Sequence, residues 1–351
     1  MRLVILLALL VLFAIAIVLW MAGGVQRPKV TQPSVLELPG VSPRPRTATR
    51  GPEDLVVVTW NIAWGSVGSG GAKPKEHFDR TLEEMGRVLR SFDPDVVLLQ
   101  EVDFDCDRSH RQDQAEALAR TVELPFVAKA VSWEAPYIPF PYWPPEDHFG
   151  TMRSGGAILS RFPLADHRVQ TVAKPDENPW WYNLFYLFRY YQQATLQMAS
   201  GPVRLFNLHT DAFSQENRIQ QARIVAEQVS RELLPRTVVG GDFNTVPPEA
   251  TQRSGYADEP DNSHVDDPTL EIIRGVQGLV DTVPGPAYLE NEEAWFTFPA
   301  HEPNRKLDYL MYGAGYRVVS VEVPRGLAGD LSDHLPLVVH LAPIETATTS
   351  P

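Results

Sequence analysis

A chain of 351 residues with 44% hydrophobic and 21% charged content can bury a sizeable core, which excludes a disordered or collagen-like polymer. Its 31 basic against 44 acidic residues leave a net charge of -13, the wrong sign for a protein that binds bulk nucleic acid by releasing counterions. The single cysteine, Cys106, excludes an intramolecular disulfide and indicates no disulfide-linked partner.

The chain opens with MRLVILLALLVLFAIAIVLWMAGG, where the apolar run from Leu3 to Ala22 supplies the roughly twenty residues that cross a bilayer core. Small residues at Ala22, Gly23 and Gly24 would suit cleavage of a signal peptide, but the length of the run and Trp20 near its end favour a retained anchor. Residues 1–24 are therefore read as an N-terminal membrane anchor or signal segment. The remainder is expected to be extracytoplasmic, and secreted if the segment is cleaved. Arg2 before the span, with Arg27 and Lys29 after it, specifies orientation only weakly. Residues 25–53 are rich in Pro without an apolar period and read as an extended spacer carrying the tightest basic run, Arg44, Arg46 and Arg50. Residues 54–342 read as one domain, and 343–351 as a disordered tail.

Within the domain, apolar β-rich runs recur at 55–60, 96–100, 156–160, 203–209, 237–243, 307–312 and 335–341. Most are apolar without alternation, which predicts strands covered on both faces. Helical spacing of Phe78, Leu82, Met85, Val88, Leu89 and Phe92, and of Ile219, Ala222, Val225, Val229 and Leu233, predicts helices between them. Alternating strands and helices give an α/β class whose strand ends can carry a site.

Four such ends are polar. VVVTWNIAWG ends a strand on Asn61, and DPDVVLLQEVD ends one on Gln100 and Glu101; a hard ion such as Mg²⁺ needs oxygen ligands on rigid elements, and Glu101 would supply one. In VVGGDFNTVP, Gly240 and Gly241 are expected to turn the chain sharply, and alternation puts Asp242 and Asn244 on one face. There Asp242 would polarise an attacking water while Asn244 binds a phosphate oxygen. In LSDHLPLVVHL, Asp333 and His334 point to opposite sides of an extended backbone, Asp333 toward a metal and His334 as the acid/base group or a phosphate contact. NLHT places His209 at another strand end, and KLDYLMY places Asp308 where it would orient the His334 imidazole. The remaining histidines, among them His77, His148 and His301, sit in no such setting. Cys106, in VDFDCDRS, reads as a small unreactive residue among Asp103, Asp105 and Asp107, a stretch that lacks the Gly and distal Glu of a calcium loop.

WN, QE, GDFN, LDY and SDHLP, in that order between about Leu55 and Leu341, resemble the endonuclease/exonuclease/phosphatase superfamily, of deoxyribonuclease I-like type. The resemblance implies a four-layer α/β/β/α sandwich and a Mg²⁺-dependent phosphoric ester hydrolase, with Mn²⁺ as the alternative ion. It implies that Asn61 and Glu101 belong to the metal site with Asp333 near it. Asp242 and Asn244 then position water and phosphate, Asp308 orients His334, and His209 matches the second histidine of the nuclease and sphingomyelinase branches. Two departures narrow it. Ala63 stands where some repair nucleases place an acid, and NRKL before Asp308 replaces the PSWCDR of inositol-polyphosphate 5-phosphatases.

Two aromatic segments, 132–150 and 178–193, look like neither core strands nor helices and are read as a wall for an apolar or interfacial substrate, with Arg153 facing its phosphate. Together with the anchor they point to a phosphodiester at a membrane surface, such as a lipid head group. An extracytoplasmic nuclease and a non-catalytic membrane-anchored binding module on the same fold are the competing readings.

Overall fold

The computed structural model describes residues 1–23, 30, 31, 34–67, 73–172, 174–327, 329 and 331–344. The first helix, α1 (Arg2–Met21), is 20 residues long, about 30 Å, and its side chains face outward. It is long and apolar enough to cross a membrane. There follow β1 (Val30–Thr31), β2 (Val35–Glu37), β3 (Leu55–Asn61), α2 (Lys75–Ser91), β4 (Val96–Asp103), α3 (Gln114–Val122), β5 (Phe126–Ile138), β6 (Gly150–Ser160), β7 (Leu164–Thr171) and the short α4 (Trp180–Asn183). The second half holds β8 (Tyr190–Met198), β9 (Gly201–His209), α5 (Gln215–Glu232), β10 (Thr237–Asp242), the ribbon β11 (Ser254–Tyr256) and β12 (Glu259–Ser263), and α6 (Thr269–Arg274). It ends with β13 (Leu279–Asp281), α7 (Gly285–Glu290), β14 (Asp308–Gly313), β15 (Tyr316–Glu322) and β16 (Leu337–Pro343).

Two mixed sheets, ordered β1-β7-β8-β9-β10-β14-β13 and β15-β16-β3-β4-β6-β5-β2, lie face to face. Strand alternation shows why their sequences are apolar throughout. Leu205, Val238 and Leu310 point into the core between the sheets, while their neighbours Phe206, Val239 and Met311 pack on the other side with Ala222, Val225 and Val229 of α5 and Ile273 of α6. Leu82, Met85 and Leu89 of α2 and Leu118 of α3 cover the outer face of the second sheet. The result is the four-layer α/β/β/α sandwich of the deoxyribonuclease I-like type. Helix α5 begins where the Ser214 hydroxyl accepts from the Asn217 N–H at 3.1 Å, an N-cap that frees β9 to end at His209.

Three expectations are corrected. The spacer read over 25–53 is not free in its second half: β2 pairs with β5, and Arg46 and Arg50 reach Asp95 at 3.0 and 3.2 Å. Arg161 reaches the same carboxylate at 2.9 Å, so Arg46 and Arg50 serve to hold residues 44–54 at the start of β3 and β4. At the other end, β16 runs to Pro343, inside the stretch read as tail; residues 24–29, 32, 33 and 345–351 lie outside the described residues. The aromatic segments also contribute regular structure. Residues 132–138 continue β5, Gly150 opens β6, and Tyr190 opens β8; Pro136 and the dense aromatics hide the strand alternation in the sequence.

Candidate active site

Strand pairing gathers the predicted residues at one edge of the sandwich. The parallel pair β9/β10 sets Asp242 level with His209, and the antiparallel β14 sets Asp308 on the other side of Asp242. Across the sandwich the parallel pair β3/β4 ends with Asn61 level with Gln100. Glu101, His209, Asp242, Asn244, Asp333 and His334 all line one cleft of about 300 Å³.

Local backbone departures aim two of them. The β4–β6 ladder slips between Leu99 and Val102, and Glu101 takes φ 53°, a left-handed conformation that costs a non-glycine residue roughly 1–2 kcal/mol. Gln100 then bridges the sheets, its Nε2 donating to Asn207 Oδ1 at 2.7 Å, while Glu101 faces the cleft. Asn244 is likewise left-handed, at φ 46°; its N–H donates to Asp242 Oδ1 at 2.9 Å and its Nδ2 to the Thr210 carbonyl at 3.0 Å. Gly240 and Gly241 do not form the expected turn. Both lie inside β10, where a Cβ on Gly241 would sit 1.9 Å from the Leu208 carbonyl oxygen and one on Gly240 2.8 Å from Leu98 Cδ1 of the facing sheet. Their role is close approach.

His334 is the most constrained group. Trp60 Nε1 donates to its carbonyl at 2.8 Å, and Ser332 Oγ donates to the Asn61 carbonyl at 2.7 Å while accepting from the His334 N–H at 3.2 Å. The Phe298 ring lies 4.7 Å away, centroid to centroid. Nδ1 sits 2.8 Å from Asp308 Oδ2, which leaves Nε2 on the cleft side, 3.8 Å from Asp242 Oδ2. Desolvation alone would lower the imidazole, but Asp308 and then Asp242 more than reverse this and push it up to about 10. Burial, opposed by His334, raises the Asp242 carboxyl to about 7. His209 is held well below its usual value by desolvation and by Arg189, whose Nη1 lies 2.7 Å from Nε2. Its neutral ring stands 3.4 Å from Asp242.

Asn61 is present but turned differently from expectation. Its Oδ1 accepts from the Ala63 N–H at 3.0 Å, and its Nδ2 donates to Glu101 Oε1 at 3.2 Å and Asp242 Oδ2 at 3.0 Å. A flipped amide would set donor against donor at Ala63 and oxygen against two carboxylates. As placed, Asn61 braces the two acids through its Nδ2.

The cations of the site were not foreseen from the sequence. Arg189 and Arg108 both line the cleft. Arg108 is held by Asp103 at 2.8 Å and stacks on Trp64 and Phe149, 4.4 and 4.6 Å from their centroids. An arginine inside the aromatic run LFRYYQQ was the available signal for Arg189; DCDRS carried none for Arg108. Arg153 does not line the cleft: it is half-exposed on β6 with Nε 3.7 Å from Glu134.

Ligand atoms of Asp242, Asp308 and His334 lie within 4.8 Å of one another, so this cluster is one candidate for a divalent ion. The His334–Asp308 hydrogen bond takes Nδ1 and Oδ2, which leaves the imidazole nitrogen Nε2 and the unpartnered Asp308 Oδ1 for an ion. Glu101 and Asp333 fit a hard cation better. Both are carboxylates on the same cleft, burial raises Asp333 against the opposing charge of His334 and with that of Glu101, and neither has a Lys or Arg within 4 Å among the described residues. Two acids on one cleft, neither in a salt bridge with Lys or Arg among the described residues, form an oxygen donor set that a divalent ion would neutralise.

Comparison with known proteins identifies the family and the fold. The family model described as the Endonuclease/Exonuclease/phosphatase family matches residues 58–334. No curated protein sequence matches the chain. Among solved structures, an endonuclease/exonuclease/phosphatase from Beutenbergia cavernae is 23% identical with a TM-score of 0.59, covering 83% of this chain and 72% of that one. A mannosyl-6-phosphatase from Bacteroides thetaiotaomicron is 13% identical with a TM-score of 0.51 over 82% of this chain and 99% of its own. D. rerio TDP2 complexed with single strand DNA product is 13% identical, with a TM-score of 0.52 over 82% and 99%. At these identities the structures share the fold.

Proposed function

The chain belongs to the endonuclease/exonuclease/phosphatase family, whose members are hydrolases of phosphoester bonds, and we propose that it is a Mg²⁺-dependent phosphodiesterase acting at a membrane surface. The observation that carries the reading is the convergence of a buried acid, Asp242, and a carboxylate-backed histidine, His334, on one cleft that also presents Glu101 and two arginines.

A divalent ion held by Glu101 and Asp333 would neutralise charge on the phosphoryl and leaving oxygens. The remaining roles belong to the protein. Asp242, raised by burial toward neutrality, is matched to take a proton from water at Oδ2, the oxygen nearest His209 and His334. His334, flanked by Asp308 and Asp242, stays protonated and stabilises charge growing on the phosphoryl oxygens from Nε2. Arg189 supplies further donors, one of them accepted by the neutral His209 ring at Nε2, and Asn244 holds Asp242 in place through its N–H. Trp133 and Phe188 on the cleft wall suit the second ester arm of a diester, which supports diesterase over monoesterase chemistry. Helix α1, read as a retained anchor, supports a substrate in or on a bilayer.

The test is hydrolysis of bis-p-nitrophenyl phosphate, p-nitrophenyl phosphate, sphingomyelin and plasmid DNA by the full chain in detergent, with Mg²⁺ and with EDTA. The proposal expects metal-dependent release from the diesters and little from the monoester. Aromatic side chains beside a phosphate site also suit nucleobase stacking, so cleavage of plasmid alone would favour the nuclease reading. No release from any substrate would favour a binding module.

A further inference from the structure

Large aromatic side chains are bared on two loops beside the cleft. β5 and β6 pair as far as Ile138 and Gly150, whereas β4 leaves β6 at Ser154, so the hairpin projects beyond the sheet. The loop at its tip exposes Phe140, Tyr142 and Trp143, the last by 79%. A second segment, around α4, exposes Trp180 by 76% together with Trp181 and Tyr182. The two are one surface. Trp133 Nε1 on β5 donates to the Phe185 carbonyl at 3.1 Å, and Phe185 packs with Phe149 on the cluster of Ile138 and Met152. The Ser214 hydroxyl donates to Glu177, tying in the next loop, where Phe213 is 77% exposed and lines the cleft. An apolar patch of this kind marks a surface made to be covered.

Position and charge select what covers it. Helix α1, apolar from Leu3 to Met21, contacts β5, the strand from which the hairpin rises. The two loops carry Glu146, Asp147, Asp176 and Glu177 against Lys174, whose Nζ is engaged by the Asn183 carbonyl at 2.6 Å. Trp and Tyr suit the level of lipid head groups, while this acidic excess repels anionic ones.

We propose that the 139–149 loop and the α4 segment seat in the head-group layer of a zwitterionic phospholipid bilayer, the one that holds α1, so that the cleft opens onto lipid head groups. The inference rests on α1 being a retained anchor, and it supplies the substrate class of the proposed site: the phosphodiester of a membrane lipid. Docking this way brings substrate to the cleft by diffusion in the plane, with Phe213 at the boundary between bilayer and site.

The experiment uses the full chain in phosphatidylcholine nanodiscs with one fluorophore per molecule. Because Cys106 is buried, Trp143→Cys, Trp180→Cys, Phe13→Cys in α1 and Val319→Cys on the edge strand farthest from β5 can each be labelled selectively. Nitroxide-bearing phosphatidylcholine is expected to quench positions 13, 143 and 180 at least about threefold more than 319. Quenching at 13 with 143 and 180 no different from 319 would overturn the docking inference and leave the anchor standing. Absence of quenching at 13 would overturn the anchor reading, and the inference with it. Replacing about a third of the lipid by phosphatidylserine is expected to leave 143 and 180 no more quenched; an increase would refute the charge argument.

Discussion

Replacing Asp308 by Asn removes one charge and almost no volume. The new amide oxygen can still accept from His334 Nδ1, so the loop built on Trp60 and Ser332 has no reason to move. What disappears is the attraction between a carboxylate and an imidazolium in contact at 2.8 Å, both buried. With charge centres about 4 Å apart and an effective dielectric near 20, that attraction is about 4 kcal/mol, or about a 10³-fold loss in rate if it is expressed in the transition state. Steady-state hydrolysis of bis-p-nitrophenyl phosphate should show this fall in kcat with KM nearly unchanged, and circular dichroism should show a native fold. The Mg²⁺ concentration for half-maximal activity is the second readout. It stays put if Asp308 orients His334 and rises if Asp308 ligates the ion, the alternative that its closeness to Asp242 raises. A folded variant within about tenfold of wild-type kcat would refute the orienting role.

Glu101→Gln should raise the Mg²⁺ required for half-maximal activity by about tenfold or more, read by titrating metal back into EDTA-treated protein. Asp242→Ala should lower turnover about 10²- to 10⁴-fold without unfolding the chain, and full activity would remove it from the mechanism. The Arg218–Asp267 pair, in contact at 2.7 Å with no exposure, should make Asp267→Asn destabilising by about 3 kcal/mol in urea denaturation at pH 7. Desolvation would raise the Asp267 carboxyl, but His264, Arg218 and Thr269 hold it well below the usual carboxylate range. Its contribution is therefore complete above about pH 4 and shrinks as pH falls through the unfolded value, so the gap between variant and wild type should narrow below pH 4 and stay constant above pH 5. The Cys106 thiol, pushed far up by burial and then by Asp103, should resist a disulfide reagent at pH 8 in the native protein and react at once in urea.

How much of this was legible depends on which interaction places each residue. Asp242, His334, Asp308 and Glu101 sit at or beside the ends of apolar strands, and a polar group there is visible as a break in the run. The fold was legible for the same reason: strands buried on both faces carry no alternation, and only two stacked sheets flanked by helices provide that burial. Gly240 and Gly241 misled because glycine serves turns and close packing alike, and only the 1.9 Å approach to Leu208 distinguishes them. Asn61 was placed at the site by position, yet which end of its amide faces the acids is decided by the N–H of Ala63.

The strand ends, their order and the residue types they carry follow from the chain alone, since hydrophobic periodicity and backbone chemistry are local properties. Which charges meet is settled only when the sheets stack. Arg108 and Arg189 enter the cleft because Asp103 and His209 hold them there, and Arg46 and Arg50 before β3 lie against the domain because Asp95 draws them in. The Arg189–His209 and Arg46–Asp95 pairs join residues 20 and 49 positions apart in the chain through contact at hydrogen-bond distance, and no local pattern encodes a partner's position.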